Sequence, residues 1–137
     1  MNNISHEHNE QVALFQWAAY SESSIPQLHY LFAIPNGGHR HKAVAARMKA
    51  EGVKAGVPDI FLAYPTGKYC GLFIEMKFGT NKPTEKQNEW LSMLERAGYM
   101  TVVCYGFEDA KREILEYLEA EENTDEQHPV DKQKHAL

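Results

Sequence analysis

Apolar and polar residues alternate along the chain in two periods, and the switches between them outline the elements. Residues 7–21 have a helical period: Glu10, Leu14 and Trp17 fall at i, i+4 and i+7 and share one face. Val12, Phe15 and Ala19 form an adjacent stripe. A polar break from Ser21 ends at Pro26, and the aromatic and aliphatic run Leu28 to Ile34 predicts a strand. Pro35-Asn36-Gly37-Gly38 is turn chemistry, and residues 40–51 predict a basic, alanine-rich helix stopped by Gly52. Two short strands, 59–63 and 71–77, flank the turn Pro65-Thr66-Gly67-Lys68 and predict a hairpin. Thr84 to Ala97 predicts a helix with Gly98 as its stop; Trp90, Leu91 and Leu94 supply its apolar face. Tyr99 to Tyr105 predicts a further strand, and Ala110, Ile114, Leu115 and Leu118 a last amphipathic helix.

The resulting order, α-β-α-β-β-α-β-α, predicts an α/β fold with a mixed central β-sheet flanked by helices. A chain of 137 residues fits one domain, placed at residues 1–118. From about Glu119 the sequence is charged and poor in apolar residues, so residues 119–137 are expected to form an unstructured tail. No apolar run approaches the roughly 20 residues that span a bilayer, and Met1 to Gln11 has no apolar signal-peptide core. The expectation is a cytoplasmic protein with Cys70 and Cys104 reduced in the core.

The net charge of −5 argues against a nucleic-acid partner until it is divided. Residues 108–126 hold nine carboxylates against Lys111 and Arg112, whereas residues 1–107 hold ten Lys and Arg against nine Asp and Glu. Arg40, Lys42, Arg47, Lys49 and Lys54 are opposed in their own stretch only by Glu51. The basic surface is therefore local, and global charge is a poor guide to the partner.

Asp59 opens one strand of the hairpin; Glu75 and Lys77 stand at i and i+2 of the other, on the same face. The run Leu72-Phe73-Ile74 predicts that this strand is buried, where charges are costly unless paired or bound. Two carboxylates and a lysine fit phosphodiester hydrolysis assisted by Mg²⁺, a hard cation that favours carboxylate and water oxygens. A buried ion pair would give the same pattern, and spacing alone does not separate the two.

The strings Gly56-Val57-Pro58-Asp59 and Phe73-Ile74-Glu75-Met76-Lys77, then Gln87 with Trp90-Leu91, resemble the VRR-NUC family of the PD-(D/E)xK nuclease superfamily. Asn36-Gly37-Gly38 and the Gly52-Val53-Lys54-Ala55-Gly56 approach are also similar, so the resemblance covers about residues 7–118. It implies a restriction-endonuclease-like core and a metal-dependent deoxyribonuclease using Mg²⁺, with Mn²⁺ as a substitute. It implies Asp59, Glu75 and the Met76 backbone carbonyl as metal ligands and Lys77 as the catalytic lysine. It implies an acidic residue from the first helix, for which Glu10 is preferred because it shares a face with Leu14 and Trp17; Glu7 is the alternative. It places Gln87 at the active site, although Thr84-Glu85-Lys86-Gln87 also matches a capping box.

Members this short resemble stand-alone, phage-encoded enzymes and Holliday junction resolvases. That implies branched or flapped DNA as substrate and a homodimer with two sites. The basic helix offers the DNA contact: Arg40 and Arg47 share a face, as do Lys42 and Lys49, and Lys54 follows. The alternatives are a nuclease fold that holds DNA without cutting it, or a protein-interaction module in which the charges are structural. No Cys or His cluster completes a zinc site beside His39 and His41, and His6 and His8 are expected to be tail residues.

Overall fold

The computed structural model describes residues 3–36 and 41–127. The elements follow the predicted order, with one insertion: α1 (Asn3–Ser21), a 3-10 helix (Pro26–Tyr30), β1 (Leu31–Ala33), α2 (Lys42–Ala50), β2 (Ile60–Leu62), β3 (Leu72–Lys77), α3 (Glu85–Arg96), β4 (Met100–Tyr105) and α4 (Phe107–Gln127). The four strands make one sheet in the order β1-β2-β3-β4. β1–β2 and β2–β3 are antiparallel, and β4 joins β3 in parallel after the α3 crossover. Among the described residues no helix is long and apolar enough to cross a membrane.

Strand alternation decides which face is the core. Leu31, Ile60, Leu62, Leu72, Ile74, Met76 and Cys104 turn to one side, where Leu14 and Ala18 of α1 and Ala110, Ile114, Tyr117 and Leu118 of α4 cover them. The odd-numbered residues of β2 and β3 turn to the other side. There Phe61 stacks on Phe73 with ring centroids 4.2 Å apart, and Tyr99 meets both edge-on. Gly71 is required beneath this stack, because a Cβ there would lie 2.6 Å from the Phe61 ring. α3 packs on β4 and buries Leu91 apart from the main cluster.

Three expectations change. The run Leu28 to Ile34 is a strand only at 31–33, because Pro26 at its first turn starts a 3-10 helix that buries Leu28. α4 continues to Gln127, through the part of the acidic segment that the structure describes; Glu and Ala there are strong helix formers. Cys104 is buried as expected, and its thiol is pushed up to about 12, chiefly by burial. Cys70, by contrast, lies in the connection before β3 and is exposed.

The capping box of α3 is formed in full. Gln87 N–H donates to Thr84 Oγ1 at 3.2 Å, and Thr84 N–H donates to Gln87 Oε1 at 2.8 Å. At the other end Gly98 adopts φ +105°, the left-handed stop that the sequence predicts. Thr84→Ala is expected to lower stability by about 1 kcal/mol in a denaturant titration. An unchanged midpoint would show that α3 does not depend on its cap.

Candidate active site

The sheet brings Asp59, Glu75 and Lys77 together at one end. β2 begins at Ile60, which pairs with Ile74, so the same register sets Asp59 opposite Glu75. Asp59 is held from three sides. Its carbonyl accepts from Ile34 N–H at 2.7 Å, its Oδ1 from the Asn36 amide at 2.7 Å, and its Oδ2 from Met76 N–H at 2.8 Å. Lys77 Nζ lies 3.6 Å from Glu75 Oε1, with its side chain only 12% exposed.

Glu75 is 1% exposed, and among the described residues its Oε2 has no hydrogen-bond partner. Its carboxyl is pushed up from 4.5 to about 8, first by burial and then by the Asp59 charge; Lys77 opposes both. A buried carboxylate oxygen without a partner is costly. A cation beside Asp59 and Glu75 would supply that missing partner.

The Met76 carbonyl fits the same reading. Extending the β2–β3 register sets Met76 opposite Pro58. The bond from Met76 N–H to Asp59 shows that its peptide groups face the β2 side, where a paired residue would return an N–H to the Met76 carbonyl. Pro58 has no N–H to give. Among the described residues no three His, Cys, Asp or Glu side chains gather as a ready-made metal shell. The donors are two carboxylates and a backbone carbonyl, all hard oxygens. That set suits Mg²⁺, which keeps several waters.

A cleft of about 870 Å³ opens beside Asp59 and Met76, between α1 and the segment from Ala33 to Asn36. Glu7 and His8 line it; Glu10 does not. Glu10 Oε2 accepts from Phe107 N–H at 2.6 Å, which places its carboxylate on the N-terminus of α4, where the helix dipole favours it. The predicted face is correct in pointing inward, but what it meets is α4. Glu7 is the acidic side chain of α1 that reaches the Asp59 cleft. His6 and His8 belong to α1 rather than to a tail: His6 stacks on Phe78, the residue after Lys77, and His8 faces the cleft. A stripe at helical spacing, His8, Val12, Phe15 and Ala19, is the signal that could have found this wall.

The remaining predicted residues divide. Gln87 uses its side-chain oxygen in the α3 cap, which accounts for a glutamine at this position without any chemistry. Lys42, Arg47 and Lys49 are exposed on α2, which buries none of its residues and carries no acid in its first turn; Lys54 is exposed just beyond. Arg40 lies outside the described residues, as do Gly37, Gly38 and His39.

A family model described as the VRR-NUC domain matches residues 4–108. Among solved structures, a chain described as a VRR_NUC domain protein is 30% identical and superposes with a TM-score of 0.68. The match covers 83% of this chain and 88% of that one. No curated protein matches.

The raised carboxyl of Glu75 has a consequence for stability. The folded state binds its proton more tightly than the unfolded chain, so the contribution is fully present below about 4.5 and is lost as pH rises toward 8. In EDTA, the Tm of Glu75→Gln should therefore gain steadily on that of the wild type as pH rises through this window. Parallel profiles would show that the carboxyl is not held protonated.

Proposed function

The chain belongs to the VRR-NUC domain family, and from that premise we propose that it is a metal-dependent endonuclease hydrolysing phosphodiester bonds in DNA. The observation that carries this reading is the buried, unpartnered Glu75 oxygen beside Asp59 and Lys77. Asp59, Glu75 and the Met76 carbonyl would hold Mg²⁺, or Mn²⁺ in its place. The bound ion supplies activation of a water and charge stabilisation at the phosphate.

The chain's own groups do the rest. Lys77 is already within ion-pair reach of Glu75, and its ammonium orients the attacking water or neutralises a phosphate oxygen. Glu75 must give up its proton to bind a cation. Glu7, on the wall of the cleft, replaces Glu10 as the helix-borne acid. Lys42, Arg47, Lys49 and Lys54 contact backbone phosphates without reading bases, and Arg40 joins them in this reading.

The substrate is branched or flapped DNA, on the strength of the family resemblance. Cutting both strands of a symmetric junction needs two sites, which calls for a two-fold homodimer.

The test is cleavage of labelled four-way junction, flap and linear duplex DNA with Mg²⁺, Mn²⁺ or EDTA. Cutting should require metal, and branched substrates should be cut fastest. Lys77→Ala should slow turnover by about 100-fold or more while DNA affinity in Ca²⁺ stays within a few fold. Normal cutting by Lys77→Ala removes the lysine from the mechanism. Binding without any cutting, by metal-loaded wild type, favours a DNA-holding module instead.

A further inference from the structure

Asn36 ends the segment that follows β1, and the sequence presents it as a turn residue ahead of two glycines. Among the described residues its side chain makes one hydrogen bond, and that bond is not local. The amide instead crosses to Asp59, 23 positions away, and donates to Oδ1 at 2.7 Å. The backbone joins the same two segments, through Ile34 N–H and the Asp59 carbonyl. Asn36 is half-buried and lines the cleft with Asp59, Met76 and Glu7.

A carboxylate has about four acceptor sites on its two oxygens. At Asp59 one site on Oδ1 is taken by Asn36 and one on Oδ2 by Met76 N–H. With a donor on each oxygen the carboxylate cannot turn about its own axis, and among the described residues these are the backbone and amide donors it accepts from. The Met76 donor belongs to the backbone and survives any substitution there. The Asn36 donor is the only one of the two that a side chain supplies.

We propose that Asn36 is a positioning residue for the metal site: its amide fixes the rotation of the Asp59 carboxylate so that Asp59 and Glu75 present oxygens to one cation. The assignment rests on the metal-dependent reading above. It differs from two other roles for the same residue. A phosphate contact would act on DNA affinity, and a plain turn residue would act on stability alone.

The experiment measures Mn²⁺ affinity by electron paramagnetic resonance, without DNA, for wild type, Asn36→Ala, Asp59→Asn and the double variant. Thermal melts and the affinity for a labelled flap duplex in Ca²⁺ are recorded alongside. Asn36→Ala is expected to weaken Mn²⁺ binding about tenfold, the effect of one charge-assisted hydrogen bond. Its effect should vanish in the Asp59→Asn background, because Asn36 acts through that carboxylate. Flap affinity should stay within about twofold of wild type, well inside the change that one lost hydrogen bond produces.

Unchanged Mn²⁺ affinity in a folded Asn36→Ala variant overturns the assignment while leaving the nuclease reading intact. So does an equal loss in the Asp59→Asn background, or a loss confined to flap affinity. No Mn²⁺ binding by wild type overturns the metal reading and this assignment together.

Discussion

The carboxyl of Glu75 is enclosed in the sheet with one oxygen that nothing among the described residues satisfies. Around it the sequence removes competitors instead of supplying partners. Asp59 stands across the register and adds a second negative charge, which makes the enclosure more costly. Lys77 comes near at 3.6 Å, a separation that attracts the charge without closing a hydrogen bond. Pro58 withholds the N–H that would otherwise cap the Met76 carbonyl. A chain selected for stability alone would place an apolar residue at position 75, since buried ion pairs are commonly no better than well-packed hydrophobic ones. The arrangement makes sense if a cation completes it.

The rest of the fold is organised to keep that point fixed. The apolar face of the sheet is sealed by α1 and α4, and Glu10 joins those two helices by accepting from the first N–H of α4. The aromatic stack of Phe61 and Phe73 lies one row below Asp59 and Glu75 on the same face of the sheet and stiffens the hairpin that carries them. The site is thus held by sheet pairing, while Asp59 and Met76 line a cleft walled by α1. α2 stands apart from this packed body with its cations exposed, as a helix that contacts a charged partner would.

Much of this was legible in the sequence, for local reasons. Alternation in 72–77 is enough to put Glu75 and Lys77 on one face, and the hairpin turn is enough to bring Asp59 across to them. The ends of α3 were legible because capping chemistry is written in adjacent residues. What was not legible depends on distant partners. The stripe of Glu10, Leu14 and Trp17 predicts an inward glutamate, but its partner is Phe107, 97 positions on, and no helical period names it. Glu7 reaches the cleft because of how α1 lies across the sheet end. Gln87 had two chemically sound roles, and the bond from Thr84 N–H shows that the cap is formed. The 3-10 turn at Pro26–Tyr30 was masked by an aromatic run that also suits a strand.

The most direct measurement is the stability of the folded protein as Mg²⁺ is titrated in, wild type beside Glu75→Gln, with no DNA present. A cation that binds only the folded state stabilises it by mass action, by about 2.7 kcal/mol at a hundredfold excess over Kd. Wild type should become more stable with each addition of Mg²⁺, more steeply at higher pH where Glu75 loses its proton readily, and Glu75→Gln should not respond. A wild type indifferent to Mg²⁺, or a glutamine variant that gains just as much, would mean that the buried carboxylate is not a cation site.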